Sequence, residues 1–226
     1  MFNNISGNYD LLNHLLSLGI DIHWRKQAIK QLRKHHSEPA HLLDVATGTG
    51  DFALEAMRMI KPRKITGVDI SEGMLEVGKQ KMKRLNLDDR IELKVGDSEN
   101  LPFEDNTFDS VIVSFGVRNF ENLEKGLAEI HRVLQENGTL VVLEFSRPRS
   151  FPLKQLYNFY FKNILPLVGK LISKDNAAYT YLPESVQAFP DGEQFNNILR
   201  KFGYQSVLCK SLTFGISSIY VGHKAG

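Results

Sequence analysis

The chain has 226 residues, with 28 Lys and Arg against 26 Asp and Glu for a formal net charge of +2, 42% hydrophobic residues and a single cysteine. That length suits one domain with a full core. The lone cysteine excludes an intrachain disulfide framework, the small and evenly spread charge leaves no basic footprint for DNA or RNA, and apolar runs far below ~18 residues exclude a spanning helix. With no A-x-A site behind an apolar leader, a reducing, cytoplasmic setting is expected.

In chain order, 9–33 reads as helical, with Leu11, Leu12, Leu15, Leu16 and Leu18 apolar, Gly19 breaking the pattern and a second run from Trp24 to Leu32. From His41 to about Ser146, short β-rich runs at 41–46, 64–70, 91–96, 109–115 and 139–145 alternate with helical patterns at 51–60, 73–85 and 122–135. That alternation predicts βαβ units on a mostly parallel sheet covered on both faces. Asn137-Gly138 reads as the stop and turn after the third of these helices. Aromatic residues crowd 151–182, and the chain closes with a helix at 191–202 and strands at 205–212 and 217–223. Strands so close in sequence should make an antiparallel edge.

The chemistry concentrates at Asp44-Val45-Ala46-Thr47-Gly48-Thr49-Gly50-Asp51, a strand running through a glycine turn into a helix. Gly48 and Gly50 let backbone approach a ligand closely. Asp69, 21 residues after Gly48 and followed by Ile70, ends the next strand, where an acid can take both ribose hydroxyls. Asp97, beside Ser98, follows the third strand and is placed to hold an adenine amino group. Gly48-x-Gly50-x-x-Ala53 also satisfies the dinucleotide fingerprint, so an NAD-dependent oxidoreductase is a competing reading. So is a binding module with a vestigial cofactor site. A pyrophosphate at this helix would meet Asp44 and Asp51, whereas a ligand carrying ammonium and sulfonium groups would be attracted, which points to S-adenosylmethionine.

Further motifs carry a resemblance: Tyr9-Asp10-x-x-Asn13, Leu16-Ser17-x-Gly19, His23-Trp24-Arg25, Asp97-Ser98-x-x-x-Leu101-Pro102-Phe103, Ser114-Phe115-Gly116-Val117-Arg118-Asn119 and Glu144-Phe145-Ser146. Over essentially the whole chain the sequence resembles the UbiE/MenG C-methyltransferases of menaquinone and ubiquinone biosynthesis, which are class I S-adenosylmethionine-dependent enzymes. It departs from them at Gln135-Glu136-Asn137-Gly138 and at Asp21, where relatives often carry a basic residue or histidine.

The resemblance implies an α/β Rossmann-like fold with a mostly parallel seven-stranded sheet, helices on both faces and an antiparallel edge strand. It implies one methyltransferase domain over 1–226, with a helical lid at about 1–37 and an aromatic-rich insertion at about 151–190. From the resemblance, cofactor contacts would fall on Thr49, Asp69, Asp97, Ser98 and Ser114, and the reading of the turn and strand ends adds Asp44, Gly48, Gly50 and Ile70, with no metal. The acceptor would be a prenylated demethylmenaquinol or related benzoquinol, and S-adenosylhomocysteine the second product. Arg118 is expected to stabilise phenolate charge, with Asn119, Tyr9, His14 and Tyr181 orienting the ring. A homodimer and peripheral contact with the inner membrane face, through the apolar mouth of the insertion and Lys154, Lys162 and Lys170, complete these expectations.

Overall fold

The structure, a computed structural model, describes residues 19–36, 39–159, 163 and 177–226. Its elements are α1 (Ile20–His35), β1 (His41–Val45), α2 (Asp51–Ile60), β2 (Lys64–Asp69), α3 (Glu72–Arg84), β3 (Ile91–Val95), β4 (Phe108–Ser114), α4 (Leu123–Val133), β5 (Leu134–Phe145), α5 (Leu153–Phe159), α6 (Ala177–Ala188), α7 (Glu193–Lys201), β6 (Tyr204–Leu212) and β7 (Ser217–Lys224). Short 3-10 turns span Val117–Asn119 and Thr213–Gly215.

The seven strands form one sheet in the order β3-β2-β1-β4-β5-β7-β6. Pairs among β1 to β5 are parallel. The last strand, β7, is antiparallel to both β5 and β6 and sits between them, so the antiparallel pair closes the edge with β6 outermost. Side-chain alternation sorts the core onto two faces. Leu42, Ile65, Ile112, Val141 and Val221 point to the face covered by α1, α2 and α3. Leu43, Val68, Val111, Val142 and Tyr220 point to the face covered by α4 and α7. Strands buried on both faces read as continuous apolar runs because each alternate residue meets a helix layer.

Two features differ from the sequence reading. The third helix ends at Val133 and β5 begins at once at Leu134. Asn137, at φ 61, and Gly138 lie in a bulge within that strand, between the pairs Phe108–Leu134 and Ser110–Thr139. A Cβ on Gly138 would sit 2.7 Å from the Gln135 carbonyl oxygen, so the glycine serves backbone crowding in the bulge. The second difference is α1, expected within the lid: it packs on β5, β7 and α2 and buries Trp24, Ala28, Ile29 and Leu32 in the core. Gly19, at φ 75, starts that helix. The rest of the expected lid, 1–18, lies outside the described residues, as does most of 160–176.

Candidate active site

In this topology the chain leaves β1 towards β2 and returns on its other side at β4, and the carboxyl ends of these strands frame the crevice where ligands of open α/β sheets bind. A cavity of about 310 Å³ lies there. Its floor is the β1–α2 turn, where Gly48 and Gly50 have φ of 56 and 82. At Gly50 it is the left-handed φ that calls for glycine; a Cβ there would also come within 2.7 Å of Met82 Cε, the movable end of a flexible side chain. Thr47 N donates to Val68 O and Gly50 N to Thr47 O, which holds the turn against β2.

The lining among the described residues carries six carboxylates, Asp44, Asp51, Asp69, Asp97, Glu99 and Glu121, and one cation, Arg25. Asp44 is 1% exposed. Its Oδ2 accepts from Thr47 Oγ1 at 2.6 Å and from Ala53 N at 3.1 Å, while Oδ1 is buried without a hydrogen-bond partner. Burial pushes its pKa up to about 7, against the pull of those two hydrogen bonds, and the charge of Asp69 adds to the rise. At Asp69, Oδ2 accepts from Gly48 N and Oδ1 from Ser71 N, each at 2.8 Å. Burial raises its pKa too, opposed by these backbone donors. Asp97 Oδ1 accepts from Glu99 N at 2.8 Å and braces the loop that presents Ser98. Ile70, 72% exposed, adds an apolar side chain to the same wall.

Asp51 corrects part of the electrostatic argument from sequence. Lys81 Nζ lies 2.6 Å from its Oδ1, and Arg25 Nη1 lies 3.9 Å from its Oδ2. This carboxylate is therefore ion-paired, and the negative character of the cavity rests on the other five. Lys81 Nζ also donates to Thr49 Oγ1 at 3.1 Å, which fixes the buried threonine of the turn.

The opposite wall is the turn after β4. Ser114 Oγ is buried without a hydrogen-bond partner, and Phe115 takes φ 56, a left-handed conformation rare for an aromatic residue. Asn119 lines the cavity; its Oδ1 accepts from Tyr181 Oη on α6 at 3.0 Å and its Nδ2 donates to Phe115 O at 3.3 Å. Arg118 differs from its expected place. Its guanidinium is 6% exposed and lies off the cavity lining. Nη1 bonds Glu144 Oε1 at 2.7 Å and the Phe115 carbonyl, and the backbone N donates to Glu144 Oε2 at 3.3 Å. Committed to a fully buried carboxylate, this guanidinium holds the turn and does not face an acceptor in the cavity.

These residues match a family model over 1–224, that of the ubiE/COQ5 methyltransferase family. The chain belongs to this family. It is 48% identical over 224 residues to the demethylmenaquinone methyltransferase of Bacteroides fragilis, covering 99% of this chain and 91% of that protein. It is 46% identical over 225 residues to the ubiquinone/menaquinone biosynthesis C-methyltransferase UbiE of Geobacter sulfurreducens, covering 99% of this chain and 87% of that one. Among solved structures, the fold is shared with an S-adenosylmethionine-dependent methyltransferase from Thermotoga maritima at TM-score 0.67 and 22% identity, over 99% of this chain and 98% of the other. The ubiE/COQ5 membership makes the chain an S-adenosylmethionine-dependent methyltransferase, and the dinucleotide reading of the glycine turn falls.

For this ubiE/COQ5 enzyme the tertiary structure gathers Asp44, Gly48, Thr49, Asp69, Ile70, Asp97, Ser98, Ser114 and Asn119 on one cavity, with Gly50 just behind as the α2 cap. Tyr9 and His14 lie outside the described residues. Sequence reasoning missed the site roles of Arg25, Lys81 and Glu144. The pattern Asp21-x-x-x-Arg25 was the available signal: on α1 it becomes a buried ion pair at 2.6 Å that aims Arg25 at the cavity mouth.

Proposed function

We propose that this methyltransferase moves a methyl group from S-adenosylmethionine to a ring carbon of a prenylated quinol, with demethylmenaquinol as the acceptor. The observation that carries the reading is the 48% identity, over nearly the whole chain, to a demethylmenaquinone methyltransferase. A benzoquinol of the ubiquinone pathway is the second acceptor, favoured by the 46% identity to a relative named for both pathways. Cytoplasmic residence belongs to the same reading, and no described helix is long and apolar enough to cross a membrane.

The residues present fit the cofactor. A cavity of about 310 Å³ falls within the range of small-molecule sites. Its unpartnered buried acceptors, Asp44 Oδ1 and Ser114 Oγ, ask for polar groups from a ligand. When bound, S-adenosylmethionine supplies an electrophilic methyl on a sulfonium. Asp44 and the acidic lining hold the cationic end, Asp69 takes the ribose hydroxyls, and Ile70, Asp97 and Ser98 receive the base. Asn119, steadied by Tyr181, meets the acceptor ring from the β4 side. The acceptor loses a phenolic proton, its ring carbon gains the methyl, and the ring hydrogen at that carbon leaves as a proton while the phenolic oxygen takes one up, which restores the aromatic quinol with one proton released overall. The quinol is required, since an oxidised ring lacks the electron density to attack. Holding both reactants in line within a dry pocket supplies most of the rate, on the order of 7–11 kcal/mol.

The test is an anaerobic transfer of labelled methyl to reduced naphthoquinol and benzoquinol acceptors side by side. Transfer to the naphthoquinol is expected to dominate. Equal or greater transfer to the benzoquinol would reverse the order of the two acceptors, and none to either quinol would overturn the reading.

A further inference from the structure

We propose that Arg25 binds the carboxylate at the amino-acid end of S-adenosylmethionine and makes that carboxylate a requirement for tight binding. Arg25 is the one cation among the described residues that line the cavity, against six carboxylates. Such a lining suits the sulfonium and the ammonium of the cofactor, yet it repels the carboxylate that shares a carbon with that ammonium. Two unsatisfied atoms on lining residues meet the need. Asp44 Oδ1 is a buried acceptor without a hydrogen-bond partner, and Arg25 Nε a buried donor without one. Buried polar atoms are ordinarily paired, so both ask for a ligand group. An α-amino acid supplies one to each: its ammonium donates to Asp44 and its carboxylate accepts from Arg25. The two receptors share one electrostatic neighbourhood. After burial, its own hydrogen bonds and the charge of Asp69, the positive charge of Arg25 also acts on Asp44, lowering its pKa.

Helix α1 holds the guanidinium for this task. Asp21, one turn earlier, accepts from Arg25 Nη1 at 2.6 Å, and both side chains are largely buried. Asp51 Oδ2, on the first residue of α2, lies 3.9 Å from the same nitrogen. These acids compensate the buried charge and commit Nη1. The side-on edge of the guanidinium, Nε with Nη2, is the edge that grips a carboxylate through two parallel bonds. The position of Arg25 beside the first turn of α2 adds the favourable end of a helix dipole to the same carboxylate. Asp21 is a point where the sequence departs from the family it resembles, so this way of aiming the guanidinium is the chain's own. The inference deepens the cofactor side of the proposed function and rests on that side alone, whichever quinol accepts the methyl.

The test is equilibrium binding, above the pKa of Asp44, of S-adenosylhomocysteine and of its decarboxylated analogue, which keeps the adenosine, the sulfur and the ammonium. The unaltered protein is expected to prefer S-adenosylhomocysteine by about tenfold or more, as for a hydrogen-bonded charge pair. Arg25→Gln should lose about tenfold for S-adenosylhomocysteine. It should keep or gain affinity for the analogue, whose ammonium no longer has a cation nearby, so the preference collapses. Arg25→Gln leaves Asp21 buried without this partner, which can unsettle the fold. The paired variant Asp21→Asn with Arg25→Gln carries neither charge and should show the same collapse. Equal affinity of the unaltered protein for the two ligands, or an equal loss of both ligands in the variants, would overturn the proposal. So would a raised KM for the quinol with S-adenosylhomocysteine binding unchanged, which would assign Arg25 to the acceptor. No quinol enters the binding measurement, so this inference and the acceptor reading fail independently.

Discussion

Asp44 illustrates what burial does to a binding acid. Its carboxyl ionises near 3.8 in an open chain and near 7 in the fold, chiefly because the folded site removes it from water. Between those values the folded protein keeps a proton that the unfolded chain has lost. The stability associated with the neutral carboxyl is thus fully present below 3.8 and is lost as pH rises through about 7. A cationic ligand prefers the ionised form, so binding must expel that proton. Cofactor affinity is expected to rise roughly tenfold between about pH 6 and about pH 8, following the ionised fraction. Calorimetric titration with S-adenosylhomocysteine, which retains the ammonium, measures it. In Asp44→Asn the rise should vanish; a slope that survives the substitution would assign the titration to another group. Gly48 and Asp69 belong to this scale as well: a glycine turn at 48, which the structure gives a φ of 56, and an acid 21 residues on were legible before any fold was known, because both are local demands of backbone and charge.

At the scale of elements, α3 links the sheet to the cofactor turn. Ser71 caps it by accepting from Met74 N, and Gly78 lets it approach closely. A Cβ at 78 would lie 2.6 Å from Leu93 Cδ1 and 2.9 Å from the Thr49 carbonyl oxygen. Replacing a mid-helix glycine by alanine ordinarily stabilises by about 1 kcal/mol. Here Thr49 is held between Gly48 and Gly50 and cannot move aside without distorting the cavity floor. Gly78→Ala is therefore expected to lower the melting temperature and to weaken S-adenosylhomocysteine binding several-fold, both read from melts with and without ligand. A higher melting temperature with unchanged affinity would show that the contact is soft. Nothing in the local pattern around Gly78 announces this role, which arises only when β3 and the turn after β1 converge on the helix.

For the molecule as a whole, the Arg118–Glu144 pair ties the far end of β5 to the turn that β4 feeds into the cavity. Both side chains are removed from water, at 6% and 0% exposure. Breaking such a pair from one side leaves a buried charge uncompensated, at a cost of about 3–5 kcal/mol. Glu144→Gln should lose stability of that order in urea unfolding. Replacing both members by methionine should recover most of it, since the desolvation cost disappears with the charges. A loss under ~1 kcal/mol in the single variant would mean that water reaches the pair.

The sequence by itself determined the succession of strands and helices, the glycine turn, the acids that end the first strands and the family, because apolar periodicity, turn chemistry and motif spacing are written along the chain. The tertiary structure decided what depends on neighbours distant in sequence. It set β7 inside β6, made Asn137-Gly138 a bulge, drew α1 into the core, paired Asp51 with Lys81 and turned Arg118 from the cavity to Glu144. A charge declares its sign in the sequence, but its partner and its exposure exist only once the chain has closed around it.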